Sequence, residues 1–263
     1  DWQIEWKYDG VRAQLIHRHG GVLLWSRGEN LINDSFPELV ALGQRLPEST
    51  ALDGEIVAWD NDRPMRFGML QRRLGRKEDQ PTLWTDVPVV FMAFDLLEND
   101  GNDTRDETLD TRRAALEHLC HTLHDEGTLH LAPVLDASSW DEAQNWYDQA
   151  HAQRTEGLML KRRGSPYRIN RTRGDWWKWK VPPHTIDAVL IYAQAGHGRR
   201  AGLYTDFTFA VWEDDELVPI TKAYSGLTDN EFREVTRFIR QHTIGRHGPV
   251  RVVEPELVFE IAF

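Results

Sequence analysis

The segment EWKYDGVR places a lysine, Lys7, two residues before an Asp-Gly pair and an arginine, Arg12, two residues beyond it. A free lysine titrates at roughly 10.4, so at neutral pH it is charged and a poor nucleophile. Nearby cations or desolvation favour the neutral amine and make it a useful one. The chain offers such cations in WWKWKV, where Lys178 and Lys180 alternate with Trp177 and Trp179. Residues two apart in a strand share a face. The two lysines are therefore expected to point one way, toward an anionic phosphate, and the two tryptophans the other way, into a core. The same pattern also suits an ordinary solvated face.

Carboxylates stand at matching spacing. Asp53 and Glu55 in LDGEIV flank a glycine, and Glu156 in TEGLMLK precedes another. Glycine at such points lets backbone or ligand approach closely. These acids suit plain ion pairs with the basic residues. They equally suit a ribose hydroxyl and a divalent cation shared with substrate phosphate. Phe94, in FMAFDLL, is either a core residue or a ring on which a base can stack.

The elements that must carry these residues read as strands and helices in irregular order. RAQLIHRHGGVLLWSR has two apolar runs around His-Gly-Gly, a hairpin signal. DSFPELVALGQRL spaces Phe36, Leu39, Val40 and Leu46 for one helix face. TALDGEIVAWD reads as a strand, RPMRFGMLQRRLG as a short helix, and PVVFMAFDLL as a strand buried on both faces. LDTRRAALEHLCHTLH is an amphipathic helix with Leu116, Leu119 and Leu123 inward. Ser139 and Glu142 form the pattern of a capping box, as do Thr228 and Glu231. EGLMLKRR and DWWKWKV read as strands. Pro182-Pro183 marks a domain boundary. Beyond it, several strands and one helix suggest a small barrel.

Bulk properties narrow the classes. The chain has 263 residues, which suits two modest domains. No run approaches the roughly 20 apolar residues of a membrane span, and no signal-peptide pattern opens it. A single cysteine, Cys120, excludes an internal disulfide and a multi-cysteine zinc module, and fits a reducing cytoplasm. The net charge of −11 runs against phosphate binding, but it is unevenly placed. Glu98 to Asp148 holds thirteen acids against three arginines and reads as solvated helices and loops. Lys161 to Lys180 holds eight basic residues against one acid, a local field that outweighs the total. No Gly-x-x-x-x-Gly-Lys-Ser/Thr loop is present, so a nucleotide must be bound some other way.

In order along the chain, KYDGVR, SRGE, DGEIV, FMAFDLL, EGLMLK and WWKWK resemble the successive nucleotidyltransferase motifs of ATP-dependent DNA ligases, most closely the bacterial ones. The likeness spans nearly the whole chain. It implies an α+β fold. An adenylation domain, 1–182, of ATP-grasp-like antiparallel sheets with helices is followed by a small β-barrel OB-fold domain, 183–263. The function implied is sealing of nicked duplex DNA by a monomeric enzyme in the bacterial cytoplasm, associated with the nucleoid. ATP and Mg²⁺ or Mn²⁺ are the implied cofactors.

The resemblance also implies roles. Lys7 becomes the adenylated nucleophile, and Lys178 and Lys180 hold the α-phosphate. Glu5, Arg12, Arg27, Glu55 and Phe94 bind the nucleotide, with Glu55 on the ribose and Phe94 stacked on adenine. Glu55 and Glu156 serve the metal. Arg12, with Arg171 or Arg173, meets the nick, and Arg199 and Arg200 track the DNA backbone. A last basic family motif, expected after ELVFEIAF, is not in the sequence. The expectation is therefore a fragment of a longer chain, with a truncated OB-fold. Such a fragment seals a pre-adenylated nick more readily than it adenylates itself. Rival readings are an RNA ligase or capping-type enzyme, which share the lysine motif, and a nick-binding module without catalysis.

Overall fold

The computed structural model describes residues 1–74, 87–123, 127–169, 172–224 and 226–262. The chain divides into two units, Asp1–Val181 and Pro182–Phe263. Among the described residues the first unit runs β1 (Trp2–Trp6), β2 (Val11–Arg18), β3 (Gly21–Ser26), α1 (Pro37–Gly43), β4 (Thr50–Asp60), β5 (Arg63–Pro64), α2 (Phe67–Leu74), β6 (Val89–Asn99), β7 (Asn102–Asp103), α3 (Leu109–Leu123), β8 (Leu129–Leu131), β9 (Val134–Leu135), α4 (Trp140–Asp148), β10 (Gly157–Arg162) and β11 (Trp176–Lys180).

These strands form two sheets. One has the order β11-β10-β1-β9. The other has the order β3-β2-β4-β6-β7, with β5 on β4 and β8 on β6. All pairings are antiparallel except the short β6–β8 ladder. The β2–β3 hairpin turns through His19 and Gly20, both with positive φ (54° and 70°). That is the mirror-image turn whose twist matches a two-residue hairpin loop. Strands β4 and β6 are buried along most of their length. They carry the main core with Leu15, Leu24 and Phe36, closed by Leu39 and Leu42 of α1 and Leu116 and Leu119 of α3. Helix α4 covers the smaller sheet through Ala143, against Ile4, Leu158 and Leu160.

Three expectations need correction. Trp179 packs on the smaller sheet's core and stacks on Tyr147 at 4.6 Å, but Trp177 is 51% exposed rather than inward. At the start of α4, the Ser139 hydroxyl accepts from the Glu142 N–H, but the Glu142 carboxylate bonds to Ser138, so the box is not reciprocal. The acidic segment is also less solvated than its composition suggests. Arg112 and Arg113 of α3 are buried, and Arg112 pairs with Asp95 where both side chains are fully enclosed, at 2.7 and 3.0 Å.

The second unit runs β12 (Thr185–Ala195), β13 (Tyr204–Glu213), β14 (Glu216–Ala223), α5 (Asp229–Gln241), β15 (Thr243–His247), β16 (Val250–Val253) and β17 (Val258–Ala262). Its antiparallel sheet has the order β14-β13-β12-β16-β15. The first half of β12 pairs with β17 and the second half with β16, with a register shift between Leu190 and Tyr192 in its pairing to β13. A strand shared and bulged in this way curls the sheet toward a barrel. Helix α5 opens with a reciprocal Thr228–Glu231 box and buries Phe232, Val235 and Ile239 against Leu190, Phe207 and Phe209. Among the described residues, no helix is long and apolar enough to cross a membrane.

Candidate active site

An open cleft of about 1430 Å³ in the first unit is walled by both sheets. Lys7, Arg12, Arg27, Glu55, Phe94, Glu156, Lys178 and Lys180 all line it. Antiparallel pairing explains the convergence. In register, β1 sets Glu5 opposite Met159, and β11 sets Lys178 opposite Met159 and Lys180 opposite Gly157. Side chains two apart then share the cleft face.

Lys7 follows β1 and is locked at the backbone. Its N–H donates to the Gly157 carbonyl and its carbonyl accepts from the Glu156 N–H, each at 2.8 Å. Its amine forms an ion pair with the Glu156 carboxylate, which Lys180 also reaches at 3.1 Å. Gly157 is required here. Its φ is +126°, and a Cβ would lie 2.1 Å from the Trp179 carbonyl oxygen. Close β10–β11 approach is what brings Lys180 to Glu156.

The carboxylates crowd one another. Burial works against charge on Glu156, yet hydrogen bonds from Lys7 and Lys180 outweigh it and hold the group below the ordinary carboxylate value. Asp9 is raised, first by burial and then by Glu156, with Lys7 and Lys180 opposing. Glu55 is pushed up to about 8, mostly by burial, with Lys7 and Arg12 opposing and Asp53 and Glu156 adding to the rise. A site that penalises anionic carboxylates while keeping Glu156 charged has a deficit of positive charge, which a dication would supply. Oxygen donors of this kind fit Mg²⁺, which commonly takes one or two carboxylates and completes its shell with substrate phosphate and water.

Arg12 is oriented by Asp53, which accepts from it at 2.6 and 3.2 Å. Tyr167 donates to the same carboxylate at 2.7 Å and accepts from Arg12 at 3.2 Å. Arg12 lies 5.5 Å from the Phe94 ring centroid, and the buried Lys161 amine lies 4.4 Å from the rings of both Phe94 and Trp176. Phe94 reaches the cleft because β6 is irregular there. Asp53 pairs with Asp95 and Gly54 with Ala93, which leaves Phe94 without an opposite residue. Such a bulge re-aims a side chain.

Other expected residues are placed differently. Glu5 borders the cleft, but its side chain is only 2% exposed and accepts from Lys161 and Gln3, both at 2.6 Å. It is engaged by protein rather than open to a ligand. Arg171 lies outside the described residues. Arg173 is exposed and is not part of the cleft lining. Arg199 and Arg200 lie in a short 3₁₀ turn of the second unit, where Arg200 pairs with Asp229 at 3.5 Å and sits 5.0 Å from the Phe232 ring centroid. Asp9, Met159, Lys161 and Tyr167 also border the cleft without having been singled out as site residues. Lys161 was visible in the basic stretch. Asp9 was read only as a turn residue, and Tyr167 carries no signal in sequence.

Comparison with known proteins gives the arrangement a context. The family model for the ATP dependent DNA ligase domain matches residues 1–180. A probable DNA ligase of Koribacter versatilis is 38% identical over 280 residues, covering 99% of this chain and 49% of that protein. A probable DNA ligase of Opitutus terrae is 38% identical over 289 residues, covering 99% of this chain and 28% of that protein. The chain thus spans about half or less of these relatives. A solved mycobacterial DNA ligase D, complexed with ATP and MES, superposes with a TM-score of 0.59 at 24% identity, covering 100% of this chain and 83% of that one.

Proposed function

The chain belongs to the ATP-dependent DNA ligase domain family, and from that premise we propose that it seals nicks in duplex DNA through an AMP group carried on Lys7. The observation that carries this reading is the Glu156 carboxylate set between the amines of Lys7 and Lys180 in a cleft large enough for a nucleotide. A binding module has no need to pin one lysine by backbone and side chain against an acid shared with a second lysine.

The chemistry follows from the residues. The Lys7 amine, once neutral, attacks the α-phosphorus of ATP. A P–N bond forms, the bond to pyrophosphate breaks, and the amine gives up a proton. Lys178 and Lys180 stabilise charge on the α-phosphoryl oxygens, which is the main source of catalysis in such transfers. AMP then passes to the 5′-phosphate at the nick, freeing Lys7. Attack by the neighbouring 3′-OH closes the strand and releases AMP.

Glu156, with Glu55 beside it, would hold Mg²⁺ or Mn²⁺. When bound, that ion neutralises phosphate charge and draws Glu156 away from Lys7. Phe94 offers its ring to the base, and Arg12, aimed by Asp53 and Tyr167, faces the ribose or the nick. Labelled ATP with Mg²⁺ should transfer AMP to Lys7 and none to the Lys7→Ala chain. The same protein should seal nicked duplex DNA. Transfer from GTP in place of ATP, or sealing confined to nicked RNA, would contradict the proposal.

A further inference from the structure

The end of α5 and the turn between β16 and β17 gather one imidazole and two carboxylates that ligation does not use. His242 follows α5, and Glu254 and Glu256 follow β16. One ligating atom from each lies within 4.8 Å of the other two, and His242 Nε2 is 3.9 Å from Glu256 Oε2. The backbone holds the group together. The Glu254 N–H donates to the His242 carbonyl at 2.8 Å, and the Glu256 N–H donates to the Glu254 carbonyl at 2.9 Å.

The imidazole is fixed from its other side. Nδ1 lies 2.9 Å from the Phe238 carbonyl oxygen. A carbonyl only accepts, so Nδ1 carries the hydrogen and Nε2 of the neutral ring keeps its lone pair toward the glutamates. Phe238 also stacks on the ring, with centroids 4.0 Å apart and planes 10° apart. Metal-binding histidines are held in this manner, with the second nitrogen donating to a backbone carbonyl. A simple ion pair needs only one carboxylate. Here a second one crowds the same imidazole, and among the described residues no lysine or arginine neutralises either.

We propose that His242, Glu254 and Glu256 form a divalent transition-metal site, with Zn²⁺ the ion it fits. One imidazole with two carboxylates is the donor set of three-ligand zinc sites that leave a position for water. Imidazole disfavours Mg²⁺ and Ca²⁺, which take oxygen shells. Ligands about 2.0–2.2 Å from zinc stand about 3.3–3.6 Å apart in a tetrahedron. Rotation of the Glu254 and Glu256 side chains closes the present spacing. A bound ion would staple the end of α5 to the turn that launches β17.

The test is a Zn²⁺ titration of the 263-residue chain against a competing chromophoric chelator, alongside His242→Ala and a Glu254→Gln, Glu256→Gln double variant. The wild type should take up one more equivalent than either variant, or bind that equivalent at least tenfold more tightly. Zn²⁺ should also raise the unfolding temperature of the wild type by several degrees and leave both variants unmoved. The double variant changes only side chains at the end of a turn, and far-UV circular dichroism without metal checks its fold. Equal uptake by all three proteins, or no uptake by the wild type, overturns the site.

Discussion

Lys7 and Glu156 hold one another by backbone and side chain together, 149 residues apart in sequence. The amine that attacks and the acid that would hold the metal are thus fixed to a single strand pair. Their relative position does not depend on a loop.

Replacing Lys7 by alanine should abolish AMP transfer while leaving the first unit folded. Glu156 keeps Lys180 at 3.1 Å, so the lost ion pair, partly exposed, costs about 1 kcal/mol or less. Label transfer from ATP and urea unfolding read the two effects separately. Unfolding of the variant without urea would show that the pair is structural.

Glu55 gives the first unit a pH dependence. Its folded value of about 8 lies above its unfolded value near 4.5. Its contribution is full below the lower value. It falls as the pH rises, because the unfolded chain ionises first, and it is lost once the pH passes the folded value. Asp9 is raised as well and acts in the same sense. Stability measured by urea should decline across this window by on the order of a few kcal/mol. Glu55→Gln should flatten the decline. An unchanged slope in that variant would place its origin elsewhere.

The enclosed Arg112–Asp95 pair is asymmetric in its energetics. Removing one partner, as in Asp95→Ala, leaves a charge without a counter-ion and should cost about 3–5 kcal/mol. Replacing both, with Arg112→Met and Asp95→Leu, should cost less than either single change. Arg112 also donates to the Ser165 and Glu107 carbonyls, at 3.2 and 2.6 Å, so the single change should loosen the loop that carries Tyr167. Chemical denaturation of the four proteins closes the cycle.

Gly157→Ala should be more damaging than its size suggests. The added methyl meets the Trp179 carbonyl and forces an unfavourable φ. Strain of that kind costs on the order of 1–3 kcal/mol before any clash is counted. AMP transfer should fall at least a hundredfold, because Lys180 moves with β11, and a melting curve should show the accompanying loss of stability.

Much of the fold could be read in advance because it rests on local patterns. The His19-Gly20 turn, the doubly buried β6 and the Thr228–Glu231 cap each need only neighbouring residues. What could not be read depends on pairing between distant strands. Phe94 faces the cleft because of a slip between β4 and β6, and alternation within FMAFDLL does not reveal it. Trp177 obeys strand alternation, yet no element covers it, so its side of β11 stays open. Tyr167 matters through Asp53, 114 residues away, and Glu5 is closed to ligands by Lys161, 156 residues away. Both are facts of tertiary contact.

The order of the smaller sheet, β11-β10-β1-β9, also sets a schedule for synthesis. β1 leaves the ribosome first but has no partner until β9, β10 and β11 have been made. Loop closure over such a span is slow, and an unpaired strand stays exposed meanwhile. The larger sheet can begin from its β2–β3 hairpin at once. The nucleophile therefore comes into register among the last events of folding in this unit, and a nascent chain cannot be adenylated before Lys180 has emerged.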